Sequence, residues 1–269
     1  MGRRFSAGFD LLYKAAVPDA FYSSGLEFNV PQNDETQADA AVLEKISDWV
    51  NFVIELTAVM MWLYGPAGAG KSVIARAMAE ILESRNELLA TFFFSRSDPS
   101  RNHIKSVIAT LAYNITLSIP ASRPLIAATI ERDPHIFHGS FECQFKKLIL
   151  EPLQQLSKQG VTCPTVVIID GLDECLNHDE RAILLRTISI AAGQHSVRLR
   201  FLITSRPEIT IAKTFNASPL NGISLDIETR SIHQLAKLAS PLMQNSGRFI
   251  VTGSGITCLT LFFFDLDRA

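Results

Sequence analysis

Cysteine is scarce in this chain: Cys143, Cys163, Cys175 and Cys258 are scattered over 269 residues, with neither C-x-x-C spacing nor a histidine pair beside them. That pattern excludes a disulfide framework and a zinc module and fits reduced thiols in a cytoplasmic protein. Charge of one sign is also missing. Lys and Arg number 25 against 27 Asp and Glu, a formal net charge of -2. No global field therefore draws a polyanion or an acidic bilayer, and the expectation is no nucleic acid and no membrane among the partners. A membrane-length apolar run is absent too: residues 249–264 carry no charge, but Gly253-Ser254-Gly255 breaks a stretch already short for a bilayer. The start, Met1-Gly2-Arg3-Arg4-Phe5-Ser6, has the basic pair of a secretory signal, yet Ser6, Gly8 and Asp10 interrupt any apolar core. The same residues fit the loose myristoylation pattern, which the bulky Arg3 opposes. His135 and His138 share a loop but lack a third ligand at metal spacing.

Apolar residues are what the chain has in quantity. They make up 47% of it against 19% charged, enough for a sizeable core in one α/β domain with extensions. The runs 59–64, 88–94, 165–169 and 199–203 show no polar alternation, as expected of strands buried on both faces and hence of a parallel sheet; 222–226 supplies a fifth, edge strand. Between them the spacing is helical. Leu43, Ile46, Val50, Val53 and Ile54 predict an amphipathic helix from about Asp39, Ile104, Val107, Ile108, Leu111 and Ile115 another, and 120–133 a short third. Phe141, Phe145, Leu148, Ile149, Leu153 and Leu156 outline a longer helix kinked near Pro152, and Ile183, Leu184, Ile188 and Ala191 one from about Asp179. Residues 1–37 show no sustained period and read as a lead-in arm, 38–228 as the domain, and 229–269 as an atypical tail in which Ile232, Leu235, Ala239 and Leu242 suggest one more helix.

The run Gly65-Pro66-Ala67-Gly68-Ala69-Gly70-Lys71-Ser72 fits the phosphate-loop pattern G-x-x-x-x-G-K-[ST], with an apolar strand leading in and the helical series Val73, Ile74, Ala77, Met78, Ile81, Leu82 leading out. A triphosphate needs many donors converging on a small volume. Glycines let backbone N–H groups approach without a Cβ in the way, and the loop ends at a helix N-terminus, where unpaired N–H groups and the macrodipole favour an anion. Lys71 would reach the β and γ phosphates, and the Ser72 hydroxyl would ligate Mg2+.

A second cluster closes the strand at 165–169. Asp170-Gly171-Leu172-Asp173-Glu174 puts carboxylates at its C-terminal tip, the edge at which α/β sheets bind ligands. Asp170 suits a direct or water-mediated Mg2+ contact, and Asp173 or Glu174 would orient an attacking water; as acidic residues opening a helix, the last two would equally serve as a cap. Thr204-Ser205-Arg206-Pro207 follows the strand at 199–203, and Arg206 is placed to sense a γ phosphate if that strand lies between the first and the acidic one. Arg96 and Arg101, in the polar turn after the second strand, are further candidates for phosphate contact, against the ordinary reading of solvated loop arginines.

Taken together, Leu63-Tyr64 with the phosphate loop, Phe92-Phe93-Phe94-Ser95-Arg96, Ile169-Asp170-Gly171-Leu172-Asp173-Glu174-Cys175 and Thr204-Ser205-Arg206-Pro207-Glu208 span about residues 40–226. They resemble the NACHT branch of the STAND-class phosphate-loop NTPases, above all the large fungal, nephrocystin-like group. The acidic motif discriminates most, with a small residue after its first Asp and an Asp-Glu pair two positions later. The resemblance implies an α/β, three-layer P-loop NTPase fold: a five-stranded parallel sheet in the order 5-1-4-3-2 with helices on both faces. It implies binding of ATP or GTP with Mg2+, slow hydrolysis, and a signalling switch of the fungal NOD-like receptor type, with self-association or other signalling proteins as partners. The chain departs from the group at two places. Pro31-Gln32-Asn33-Asp34-Glu35-Thr36-Gln37 stands where the group has a Cys-x-Pro-Gly-Thr-Arg-like segment, and after Asp226 no lid, winged helix or ankyrin, tetratricopeptide or WD repeat follows, as in a truncated member. An open site motivates a second reading, a non-catalytic nucleotide-binding or interaction module. A small-molecule kinase ranks last, because the Asp-Glu pair favours water as acceptor.

Overall fold

The computed structural model describes residues 6–23, 36–51, 58–192, 197–217, 224–229, 250–252 and 255–257. The apolar runs form the strands β1 (Met60–Tyr64), β2 (Leu88–Phe93), β3 (Val166–Asp170), β4 (Arg200–Ser205) and β5 (Ser224–Glu228). Every pairing among them is parallel, in the order β2-β3-β4-β1-β5. From the other edge this is the expected 5-1-4-3-2, and β4 does lie between β1 and β3.

The strands lack polar alternation because both sides of the sheet are roofed. Met60, Trp62, Phe92, Ile169 and Phe201 belong to one core, and their neighbours Met61, Leu63, Phe93, Ile168 and Leu202 to the other. The helices are α1 (Ala7–Ala15), α2 (Thr36–Val50), α3 (Lys71–Ser84), α4 (Val107–Ser118), α5 (Arg123–Arg132), α6 (Phe141–Phe145), α7 (Glu151–Lys158), α8 (His178–Ala192) and α9 (Ile209–Phe215). Ile46 and Trp49 of α2 and Ile74, Met78 and Leu82 of α3 fill the second core; the other helices serve the first. A short antiparallel pair, β6 (Ile250–Thr252) and β7 (Gly255–Thr257), stands apart from the main sheet.

Several local expectations are corrected. The supposed lead-in arm contains α1, capped by Ser6, whose Phe9 and Leu12 are 6% and 0% exposed and lie in the first core. Its packing is long-range: Gly8 N–H donates to Glu131 Oε1 at 3.2 Å, and Val17 N–H to Thr110 Oγ1 at 3.0 Å. The kink expected at Pro152 is relieved upstream by a π-helical segment, Lys146–Leu150, which joins α6 to α7. Proline has no N–H to return to the preceding turn, and a widened turn absorbs the mismatch. On α8 the buried face is Leu184, Leu185 and Ile188, while Ile183 is 36% exposed, because a helix step of one residue rotates it off the core stripe. The expected contacts of Val53 and Ile54, and the helix through Ile232, Leu235, Ala239 and Leu242, lie outside the described residues.

β2 is an edge strand, and α4 closes its outer rim with side chains. Ser118 Oγ donates to the Leu89 carbonyl at 2.9 Å, and Thr91 N–H donates to Asn114 Oδ1 at 3.4 Å. Two of the ladder groups that face away from β3 thereby find partners within the chain.

Candidate functional site

The loop between β1 and α3 is shaped by glycine backbone. Gly68 and Gly70 have φ of 74° and 72°, a region that L side chains enter only at a cost, and Gly70 caps α3 in that conformation. Gly65 is required for a different reason: a Cβ built on it would stand 2.0 Å from Thr229 Oγ1. Thr229 is 1% exposed and donates to the Tyr64 carbonyl at 3.2 Å, so the residue following β5 is wedged against the loop's entrance.

Lys71 Nζ donates to the carbonyls of Gly65 at 2.9 Å and Pro66 at 2.8 Å, curling over the loop it belongs to. Burial pushes its ammonium below the ordinary lysine value, while Asp173 and Asp170 pull it back up. Ser72 Oγ donates to Asp170 Oδ2 at 2.7 Å, which joins the first turn of α3 to the end of β3. The other oxygen, Asp170 Oδ1, accepts from Thr204 Oγ1 at 2.5 Å, and Thr204 Oγ1 in turn accepts Gly171 N–H at 3.0 Å. Asp170 is only 4% exposed. Burial pushes its carboxyl above the ordinary aspartate value, against the hydrogen bonds from Thr204 and Ser72.

Asp173 and Glu174 sit on one 3-10 turn, Leu172–Glu174, but part ways. Asp173 takes Arg206 on both oxygens: Arg206 N–H donates to Oδ1 at 2.9 Å, and Nε lies 3.2 Å from Oδ2. Glu174 Oε2 accepts the Arg96 N–H at 3.0 Å, and Arg96 NH2 donates to the Asp173 carbonyl at 3.0 Å. Arg101 is directed elsewhere. It bonds Asp98 Oδ2 through Nε and the Asp19 carbonyl through NH1, both at 2.7 Å, and so ties down the N-terminal segment.

A cavity of about 210 Å³ gathers these groups, lined by Ala67, Gly68, Ala69, Gly70, Lys71, Ser72, Val73, Gly171, Asp173, Glu174, Thr204 and Arg206. A larger one, about 330 Å³, lies along the β2 edge among Tyr22, Glu83, Leu88 and Ser118 and holds none of the phosphate-loop residues. The smaller is the candidate site, because convergent polar groups rather than volume mark a binding site. Of the residues expected from the sequence, Lys71, Ser72, Asp170, Asp173, Glu174 and Arg206 meet at the C-terminal ends of β1, β3 and β4, and Pro66 enters through its carbonyl. Thr204 and Thr229 carried no expectation. Thr204 had a faint signal, a hydroxyl residue ending an apolar strand; Thr229 had none, since its contact spans 165 residues.

The donor set suits a hard cation. Ser72 and Asp170 offer neighbouring oxygens, and among the described residues no group of three or more His, Cys, Asp or Glu forms a cage. A cation that keeps waters and phosphate oxygens as most of its ligands, as Mg2+ does, fits two protein oxygens.

A family model described as Nephrocystin 3, N-terminal, matches residues 43–206. No curated protein sequence matches the chain. Among solved structures, Drosophila ORC bound to poly(dA/dT) DNA and Cdc6 is similar at 15% identity and a TM-score of 0.47, covering 77% of this chain and 31% of that one. Drosophila ORC bound to DNA gives 14% and 0.45, over 85% and 35%. The Aeropyrum pernix ORC2 protein in ADPNP–ADP complexes gives 10% and 0.43, over 81% and 54%. The chain thus spans about a third of the Drosophila chains and about half of the archaeal one, and the likeness is one of fold. The expectation of no nucleic-acid partner is corrected here: the two Drosophila assemblies are bound to DNA, which is a property of those proteins, and a net charge of -2 is a whole-chain sum that excludes no local contact. Among the described residues no helix is long and apolar enough to cross a membrane.

Proposed function

Because this chain belongs to the nephrocystin 3 N-terminal family of phosphate-loop NTPases, we propose that it is a nucleotide-binding signalling switch that binds ATP or GTP with Mg2+ and hydrolyses it slowly. One observation carries the reading: three strand ends deliver a phosphate-loop lysine and serine, an acidic pair and an arginine to a single cavity, with the buried Asp170 bonded to that serine.

Lys71 is already among acceptors, the carbonyls of Gly65 and Pro66, and phosphate oxygens are stronger acceptors for the same ammonium. The N–H groups of the loop and of the first turn of α3 add uncharged donors. Ser72 and Asp170 would hold Mg2+, which neutralises charge developing on the phosphates. Asp173 is committed to Arg206 through both oxygens, so Glu174 is the better candidate to orient an attacking water. Arg206, at the tip of the strand next to β1, would sense the γ phosphate. In this reading the protein is cytoplasmic, of the fungal NOD-like receptor type, and uses its nucleotide state to control self-association or contact with other signalling proteins.

Calorimetric titration with ATP and GTP, with and without Mg2+, tests the proposal. Mg2+-dependent binding that Lys71→Ala weakens by about a hundredfold, roughly 2.7 kcal/mol, is expected. Equal affinity in wild type and variant sinks it.

A further inference from the structure

One buried cation has no part in the functions above. Arg181, in the second turn of α8, has a side chain only 4% exposed. Burying a guanidinium is costly unless its fork is filled, and here it is filled from three directions. Nε donates to the Cys175 carbonyl and NH2 to the Asp173 carbonyl, each at 2.7 Å, so two main-chain oxygens of the acidic turn are gripped at once. NH1 pairs with Glu208 Oε2 and lies 3.1 Å from His178 Nδ1.

Glu208 is an unusual partner because of its position. It is the N-cap of α9, yet its side chain makes no cap bond and reaches Arg181 instead. It also stands two residues after Arg206, and its own N–H donates to the Arg206 carbonyl at 2.8 Å. The contacts form a closed ring: Arg181 to the Asp173 main chain, Asp173 side chain to Arg206, Arg206 through Pro207 to Glu208, and Glu208 back to Arg181.

The geometry points to Arg181 and Glu208 as positioning residues that fix the arginine at the end of β4 against the acidic turn at the end of β3. Neither lines the cavity. Arg206 is half exposed and has a long, freely rotating side chain, so its pairing with Asp173 alone would be loose. The ring supplies a second tie through the main chain, and a planar fork does this where an ammonium would not, since two carbonyls and a carboxylate must be met in one plane. For its consequence in turnover this inference rests on the nucleotide-site reading; the geometric statement does not.

Amide hydrogen exchange on the full chain separates the two. The Arg206 N–H is protected by Asp173 Oδ1, so it reports the ring directly. In Glu208→Gln, and in Arg181→Lys, which keeps the charge but loses the fork, the Arg206 amide is expected to exchange about tenfold faster while interior amides of β3 and β4 such as Ile168 and Leu202 keep wild-type rates. With nucleotide, the same variants are expected to keep affinity and lose about tenfold in turnover. Unchanged exchange at Arg206 overturns the inference, as does an equal rise across the strands, which would mark a purely structural role. Lys71→Ala with undiminished affinity would sink the nucleotide reading and leave the exchange result to decide this one alone.

Discussion

Asp173 holds Arg206 at two points, accepting its main-chain N–H at 2.9 Å and facing its Nε at 3.2 Å, so the ends of β3 and β4 are locked through one carboxylate that is 5% exposed. The arginine side chain itself is 55% exposed. An ion pair with one partner in water adds only about 0–1 kcal/mol to stability. What the contact gives is placement: the arginine is tied to the acidic turn at the wall of the cavity.

Arg206→Ala is therefore expected to fold with a melting temperature within about 4 °C of wild type, yet to lose about tenfold of its preference for a nucleoside triphosphate over the diphosphate. Titrating both nucleotides into both proteins measures this. An unchanged preference removes the sensing role.

Gly65→Ala is expected to destabilise by about 1–3 kcal/mol, as overpacking does, because its methyl group would stand 2.0 Å from Thr229 Oγ1. Thr229→Ala removes that oxygen and costs the bond to the Tyr64 carbonyl. The two changes together should destabilise less than their sum, since the second clears the space the first needs. Chemical denaturation of both singles and the double gives the answer, and additivity refutes the contact.

The carboxyl of Asp170 is raised above its ordinary value of 3.8, first by burial. The folded protein thus binds this proton more tightly than the unfolded chain does. The stabilisation so gained is complete below the unfolded value and is lost as pH rises through the folded one. Asp170→Asn stays neutral and escapes that loss. The variant should melt above wild type at neutral pH, match it in acid, and bind Mg2+-nucleotide at least tenfold more weakly. Thermal melts across pH with parallel titrations test both halves; a variant less stable at neutral pH contradicts the sign.

Leu12 is fully buried in the core shared with β1 and β3. Leu12→Ala should cost about 2–5 kcal/mol, the range for emptying a leucine site in a core. Urea unfolding followed by the fluorescence of Trp62, buried in that core, measures it. A loss below about 1 kcal/mol would mean that α1 is a detachable arm.

The strand runs and the phosphate loop were legible because their signals are local: parallel strands roofed on both sides read as unbroken apolar stretches, and a loop that binds phosphate spells out its glycines. Asp170 was legible as a carboxylate ending such a run. Helix α1 was not, since Phe9 and Leu12 make a stripe barely one turn long and its partners, Glu131 and Thr110, are distant in sequence. Arg101 could only be weighed as a phosphate contact against a solvated side chain, because a loop arginine carries no sign of its target, and one of its partners, the Asp19 carbonyl, lies 82 residues away. The division of labour within the acidic pair was equally hidden. Neighbours on one turn look alike until β4 is placed beside them, and it is Arg206, 33 residues on, that claims Asp173.

The rim of β2, stoppered by Asn114 and Ser118, bears on how copies of this chain can meet. A strand from a second molecule would find the Leu89 carbonyl and the Thr91 amide already engaged. Sheet-to-sheet extension is opposed at these two positions, and among the described residues of the central sheet the other edge is β5, the strand whose successor, Thr229, abuts the phosphate loop. Strand addition through that edge alone joins two copies and stops, since each brings the same single rim, and the junction lies on the side that feels the loop.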